Sequence, residues 1–412
     1  MNKVLIIPAG IYQLPAIHKA KEMGLKVITA DNCPHNPGHK YADRSEFICA
    51  RDLTNILGLA REENVDAIFT MASDIALNTV NFVTRELGLI ETISDEIINT
   101  TCLKDSFRNY QKQNNFNHPE FRSVNDYNSF RTALKEIGFP VFVKPSDNSG
   151  SKGVFYLDEN IFGPKDLINI YNAAQSFSRN KILCIEKILE GREIGGDALI
   201  IDGKVASCVL TNKRITPHPS YIPIGHSIPC LLRDEVKEKV IESLQLAVTA
   251  LKITQSPINF DIIVGSDSIS ILEMSPRLGG NCIPEIVHLG TGFDMVEASL
   301  KLSLGLIPKI PQIKKIRPTG VRILRSSHKG VLSTYRNPED IRSKYEGLLE
   351  LIIDYAPGAM VNHYSQGADR IGHIICQSSS VETLDQELDL VEKDLNITVK
   401  ASKNRNNVTV IG

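Results

Sequence analysis

The sequence predicts a mixed α/β fold in several units: a doubly wound N-terminal domain, a small lid subdomain, a large mixed sheet and a closing α/β segment. Three observations predict it. Short apolar strands alternate with amphipathic helices over about the first 90 residues, the pattern of a parallel sheet covered on both faces. Hairpin-joined strands with alternating or two-sided apolar patterns follow after residue 182. Finally, 412 residues are too many for one ordinary core.

Composition narrows the classes. With 42% hydrophobic and 23% charged residues the chain reads as globular. A net charge of −2 gives no electrostatic case for nucleic acid or an anionic membrane. The longest apolar runs, such as "FDIIV" and "LIID", are too short to span a bilayer. The opening "MNKVLIIPAG" breaks at Pro8, so it reads as a buried strand and not as a signal peptide. Cys33, Cys49, Cys102, Cys184, Cys208, Cys230, Cys282 and Cys376 form no C-x-x-C pair and read as reduced thiols of a cytoplasmic protein.

Taken in order, "KVLIIPA" is a strand, "LPAIHKAKEMG" a helix closed by Gly24, "LKVITAD" a strand, "LTNILGLAREENV" a helix and "DAIFTMAS" a strand. Only Gly10 stands in the first strand–helix turn, so no dinucleotide fingerprint is present. Asp31, ending the second strand, is either a ribose contact or a turn residue. Residues 104–185 read as a charged helix and loop, then a small unit of "NSFRTALKEIG", "FPVFVKP" and "VFYLD". A larger segment carries the strands "ILCIEKIL", "GGDALIID", "KVASCVL", "INFDIIVG" and "SISILEMS". After the Pro-punctuated "GLIPKIPQIKKIRPTG" comes a last segment with a helix around "VETLDQELDLVEKDL". The expected units are 1–101, 102–187, 188–308 and 309–412, with no internal repeat.

Three constellations carry chemistry. In "FVKPSDNSGSKGV", Lys144 and Lys152 flank small residues, Ser149, Gly150, Ser151 and Gly153, whose backbone can converge on phosphate. Gly153 follows Lys152 and a strand comes next, so this is a hairpin flap and not a P-loop. The alternative is a solvated turn bearing two lysines. Next, "NFDIIV" and "ILEMSPRLGG" place Asp261 and Glu273 on neighbouring strands, where two carboxylates can share Mg²⁺ with substrate phosphates. Ser275, two residues on, offers a third oxygen, and Arg277 can clamp a phosphate or carboxylate. The alternative is an edge strand with its carboxylates in water. Third, Glu186 and Glu193 in "CIEKILEGREIGGD" can meet ribose while the backbone of Lys187 and Ile188 reads an adenine edge, or they are ordinary hairpin acids.

In this order the elements resemble the ATP-grasp superfamily over nearly the whole chain. The resemblance implies ATP phosphates on Lys104 (in "TCLKDSFR") and Lys144, a flap of Ser149–Gly153, an adenine hinge at Glu186, Lys187 and Ile188, and ribose at Glu193. It implies Mg²⁺, or Mn²⁺, on Asp261, Glu273 and Ser275, with Arg277 and Lys152 catalytic. Asp261 stands where many relatives have Glu and Ser275 where many have Asn, and both keep an oxygen. Biotin carboxylases carry a Q-V-E-H run that is missing here, and purine-pathway relatives have Pro and His where this chain has Leu278, Gly279 and Gly280. The R-L-G-G run is similar to L-amino-acid ligases, and the stretch "ADRIGHIICQSSSVETLDQELDLVEKDLNITV" is similar to the closing α/β segment of those ligases and of carboxylases.

The long polar loop from Thr211 to Pro229 offers Lys213, Arg214, His218 and His226 for a substrate carboxylate or for proton transfer, or as plain surface residues. Gly279 and Gly280 would let substrate approach, and Asn281 and Glu285 would meet the incoming amine. The resemblance thus implies a cytoplasmic, homodimeric, ADP-forming carboxylate–amine ligase working through an acyl phosphate, with amino acids as candidate substrates. Its partners would be small-molecule carboxylates and amines, with no nucleic acid or membrane. The alternatives are a purine-type or carboxyphosphate-using enzyme acting on formate or bicarbonate, and a non-catalytic ATP-binding regulator.

Overall fold

The computed structural model describes residues 2–90, 93–158, 163–217 and 220–401. Strands β1 (Lys3–Ile6), β2 (Lys26–Ala30), β3 (Arg44–Glu46) and β4 (Ala67–Phe69) form a parallel sheet in the order β3-β2-β1-β4. Period-two alternation divides β1 between two cores. Val4 and Ile6 pack toward α1 (Leu14–Glu22), whereas Leu5 and Ile7 pack toward α2 (Leu53–Glu63) and α3 (Asp74–Glu86). Asp31 is the turn residue: its buried carboxylate accepts from the backbone of Ala9 and Cys33 and from Asn36.

Helices α4 (Asp95–Thr101) and α5 (Lys104–Gln113) lead to a four-stranded antiparallel lid sheet. It comprises β5 (Phe121–Val124), β6 (Val141–Pro145), β7 (Phe155–Leu157) and β8 (Leu183–Lys187) in the order β5-β8-β6-β7. Its helices α6 (Tyr127–Ile137) and α7 (Pro164–Ser176) close a core around Phe130, Leu134 and Tyr171. The strand "ILCIEKIL" therefore belongs to the lid and not to the large sheet. The flap links β6 to β7. Gly150, Ser151 and Gly153 all have left-handed backbones there (φ 67°, 62° and 71°). A Cβ on Gly153 would lie 2.6 Å from Phe177, so only glycine fits.

The large sheet is antiparallel throughout, in the order β13-β12-β9-β10-β11-β14-β18-β16. Its first part contains β9 (Arg192–Ile201), β10 (Lys204–Ile215), β11 (Pro223–Ile228), β12 (Ser256–Val264) and β13 (Ile269–Ser275). α8 (Asp234–Ala250) covers one face; α9 (Ile283–Thr291) and α10 (Met295–Ser303) cover the other and join it to the N-terminal domain through α1. The expected loop from Thr211 to Pro229 is instead a hairpin, β10 turning into β11 through hydrogen bonds between Thr216 and Ile222. Its prolines disguise it. Pro223 opens β11, a position where a missing N–H donor is tolerated. His218 lies outside the described residues.

The C-terminal part adds β14 (Thr319–Leu324), β15 (Gly330–Thr334), α11 (Pro338–Lys344), β16 (Leu348–Ile353), β17 (Met360–Val361), β18 (Gly372–Gln377), α12 (Val381–Leu395) and β19 (Thr398–Ala401). β14, β18 and β16 extend the large sheet, and β17, β15 and β19 form a small one. All eight cysteines are free thiols. Among the described residues no helix is long and apolar enough to cross a membrane.

The centre of the large sheet has no room to spare. A Cβ on Gly196 would stand 2.4 Å from the Val209 carbonyl and 2.8 Å from the Phe260 ring. Gly196→Ala is expected to cost about 1–3 kcal/mol through overpacking. Denaturant unfolding checks this, and an unchanged midpoint would show that β9 and β10 can part freely.

Candidate active site

The site is built on β12 and β13. Register pairs Asp261 with Glu273 and Asn259 with Ser275, so all four side chains share one face. A bulge at Leu272 interrupts the ladder beside Glu273 and re-aims that carboxylate. Helix α5 pins the bulge: Arg108 donates to the Leu272 carbonyl (2.8 Å) and Gln111 to the Ile271 carbonyl (2.8 Å). Arg108 is buried and also pairs with Glu186 of β8 at 2.9 Å, tying the lid to the same point.

Cations meet carboxylates along this groove. Lys104, first in α5, bridges Glu273 (3.1 Å) and the flap carbonyl of Asn148 (2.6 Å). Lys213 bridges Glu193 (2.5 Å) and Asp261 (2.8 Å). Lys144 holds Glu186 at 2.6 Å. Burial works to raise Glu186, but Arg108 and then Lys144 outweigh it and hold this carboxyl at about 2. Glu273 is likewise held down, chiefly by Lys104 against burial. Asp261 moves the other way: burial and the neighbouring Glu193 and Glu273 push it up in spite of Lys213. Among the described residues no group of three Asp, Glu, His or Cys side chains could hold a metal alone. Two carboxylates and a hydroxyl suit Mg²⁺, which keeps waters and takes phosphate oxygens. The residues present therefore fit a metal that arrives with a nucleotide.

Arg277 sits at the end of β13. Its Nε and Nη2 both lie 2.7 Å from one carboxylate oxygen of Asp74, while Nη1 donates to Asn259 (3.1 Å) and the Leu278 carbonyl (3.2 Å). Asn259 in turn donates to Asp197 (2.9 Å), which also accepts from the Gly279 amide (3.0 Å). Burial pushes Asp197 up to about 7. A Cβ on Gly279 would stand 2.6 Å from Asn259, so this glycine makes room for the network. Gly280 faces Ala72 and Tyr12, and Asn281 accepts from the Tyr12 hydroxyl at 3.3 Å, so both line the seam with the N-terminal domain.

The remaining candidates divide. His226, the register partner of Lys213, is buried, bonds Thr211 at 2.9 Å and is lowered to about 3 by burial and Lys213, so it is neutral near pH 7. Arg214 is not brought to the groove. Strand alternation turns it to the opposite face, where it pairs with Asp385 and Asp389 of α12. Lys187 sends its ammonium to the Gly138 and Phe139 carbonyls and its amide to Glu120, and Ile188 follows it half-buried. Ser275 is buried, and its carbonyl accepts from the Arg277 amide. Glu285 is raised by burial, with one oxygen unpartnered among the described residues. Lys152 makes no ion pair among the described residues. Sequence reasoning missed Asp74, Arg108, Asp197 and Asn259. Asp74 resembles any acid in a first helical turn, and the others contact partners far away in sequence.

Glu186 gives a sharp test. A carboxylate with a depressed pKa contributes stability that is present above its unfolded value near 4.3 and is lost as pH falls toward about 2. Glu186→Gln removes the charge partner of buried Arg108 and half-buried Lys144 and is expected to cost about 3–5 kcal/mol at pH 7. The gap from the parent should narrow between pH 4.5 and pH 2.5 in denaturant titrations.

Residues 137–285 match the ATP-grasp domain family, and residues 322–400 match the L-amino acid ligase C-terminal domain 2 family. The chain is 23% identical over 320 residues (77% of this chain) to the uncharacterized protein y4rH of Sinorhizobium fredii. It is 23% identical over 245 residues (59% of this chain) to an L-arginine-specific L-amino acid ligase of Bacillus subtilis. These stretches span 65% and 59% of the two relatives, less than two thirds of either. Among solved structures, an L-amino acid ligase from Bacillus licheniformis superposes with a TM-score of 0.83 at 20% identity, covering 97% of this chain and 99% of that one. The chain thus contains an ATP-grasp domain at residues 137–285, followed by a segment, residues 322–400, that matches the C-terminal domain 2 of L-amino acid ligases.

Proposed function

We propose that this chain is an ATP- and Mg²⁺-dependent carboxylate–amine ligase that activates an amino acid as its acyl phosphate, releases ADP and forms a peptide bond. One observation carries the reading. Glu273, Asp261 and Glu193 are matched by Lys104 and Lys213 in a groove that ends at Arg277. Such a row of displaceable ion pairs suits a metal–triphosphate. The amino-acid branch is supported by the C-terminal match over residues 322–400.

In this reading Lys104 and Lys144 receive the phosphates, the hinge after β8 receives the base, and Glu193 is the ribose contact. Mg²⁺ held by Asp261, Glu273 and Ser275 would neutralise the transferring phosphoryl group. Arg277 orients the substrate carboxylate, whose oxygen attacks the γ-phosphorus while the bond to ADP breaks. The flap with Lys152 closes over the phosphates and keeps water from the acyl phosphate. The amine then attacks the acyl carbon, phosphate leaves with the bonding pair, and the amine loses a proton.

ADP and phosphate release across amino acids, singly and in pairs, beside formate and bicarbonate, tests the proposal. Release should require a particular pair and yield a product with the mass of the dipeptide. Glu273→Gln should lower turnover by about 100-fold or more. Release stimulated by bicarbonate or formate instead would point to a carboxyphosphate or formyl phosphate enzyme. Nucleotide binding with no release would point to a regulator. In the same assay Arg277→Lys, which keeps charge but loses the planar fork, should lower kcat/KM by about 100-fold. A loss below threefold would exclude Arg277 as the carboxylate clamp.

A further inference from the structure

Arg277, the residue assigned to the substrate carboxylate, is already occupied by a carboxylate of the protein itself. Asp74 begins α3 in the N-terminal domain, 203 positions away in sequence, and one of its oxygens takes both Nε and Nη2 of Arg277 at 2.7 Å. The contact is secluded, with side-chain exposures of 10% for Arg277 and 14% for Asp74. Arg277 does not depend on Asp74 for its orientation, because Asn259 and the Leu278 carbonyl hold Nη1 independently. Asp74 also lines a cavity of about 330 Å³, together with Ile75, Cys102 and Leu103 and the flap residues Asn148 and Ser149. One carboxylate thus touches both the clamp and an open space beside the phosphate flap.

We propose that Asp74 is a specificity-determining residue that receives the ammonium group of an α-amino acid whose carboxylate has taken its place on Arg277. The inference rests on the ligase reading above and names the feature of the acid that the site reads. In an α-amino acid the ammonium nitrogen lies about 2.5 Å from the carboxylate carbon, two bonds away. A carboxylate docked on the guanidinium therefore brings its ammonium against a side chain bordering that guanidinium. The ion pair is exchanged and not lost: Arg277–Asp74 becomes Arg277–carboxylate and ammonium–Asp74. The cavity beside Asp74, whose walls combine Ile75, Ile98 and Leu103 with Arg51, Asn78 and Arg179, accepts the substrate side chain. An acid without the ammonium would displace Asp74 and leave its carboxylate secluded and unpaired, a heavy penalty in a site built for a charged partner.

The test compares each amino acid with its desamino counterpart: L-alanine with propionate, L-leucine with 4-methylpentanoate, L-phenylalanine with 3-phenylpropionate, and L-arginine with 5-guanidinopentanoate. The full-length protein is assayed for ADP release, and kcat/KM is read for both members of each pair. The parent should prefer the amino acid by about 100-fold or more. In Asp74→Asn the ratio should fall to about threefold or less, and Asp74→Glu should restore most of it. A parent without the preference overturns the proposal. So does an Asp74→Asn variant that lowers both members equally, since that is the behaviour of a residue that only supports Arg277. If no acid elicits ADP, the ligase reading fails, and calorimetric titration of the same pairs with a non-hydrolysable ATP analogue and Mg²⁺ decides. Binding of the amino acid alone, abolished in Asp74→Asn, sustains the Asp74 assignment; equal binding, or none, overturns it.

Discussion

The arrangement of the groove depends on one buried guanidinium. Arg108 is almost wholly enclosed, yet it reaches Glu186 on the lid strand β8 and the Leu272 carbonyl at the bulge of β13. A charge there is tolerable only because a partner charge and a backbone acceptor meet it, and removing either would strand the rest. The lid sheet and the large sheet share no strand. Their relative placement near the site is carried by α5, which supplies Arg108 to both and Lys104 to the groove. Lys144 extends the chain, since the Glu186 that fixes Arg108 also fixes the lysine assigned to phosphate.

A second chain of contacts runs from Asp197 through Asn259 to Arg277 and Asp74. Asp197 is fully buried and has one oxygen unpartnered among the described residues, which accords with burial raising its pKa. A carboxylic acid retained there at such cost still orients Asn259, and Asn259 sets the free edge of Arg277. Gly279 belongs to this chain because any side chain would strike Asn259. The R-L-G-G run is thus explained by packing against the network as much as by access for a ligand.

How much of this was legible follows from physical range. The parallel N-terminal sheet could be read because its strands and helices follow one another with short connections, and each element declares its period locally. Asp261, Glu273 and Arg277 could be read because two sequence-adjacent strands bring them together. The hairpin of β10 and β11 was obscured: prolines at both ends of β11 and polar residues along β10 look like a loop until the neighbouring strands are in place. Arg214 was misplaced for a related reason, since the two faces of a strand can be told apart only when both coverings are known. Asp74, Arg108 and Asn259 lay beyond reach. Each is an unremarkable polar residue whose significance arises from a partner on a distant element.

Taken together, the ion pairs account for the coupling of metal to nucleotide in the proposed reaction. Lys104 and Lys213 neutralise Glu273, Asp261 and Glu193. A bare triphosphate that drew these lysines to itself would leave the carboxylates crowded and uncompensated, and Asp261 already feels that crowding. In the proposed reaction, Asp261 and Glu273 would hold a divalent cation when Lys104 and Lys213 turn to phosphate, so that neither carboxylate is left without a positive partner. Lys104 also bonds the flap carbonyl of Asn148, so its exchange of partners is mechanically linked to the flap. The lysine that balances Glu273 is thus also a contact of the flap, so in the proposed reaction a phosphate drawing on Lys104 would act on both at once.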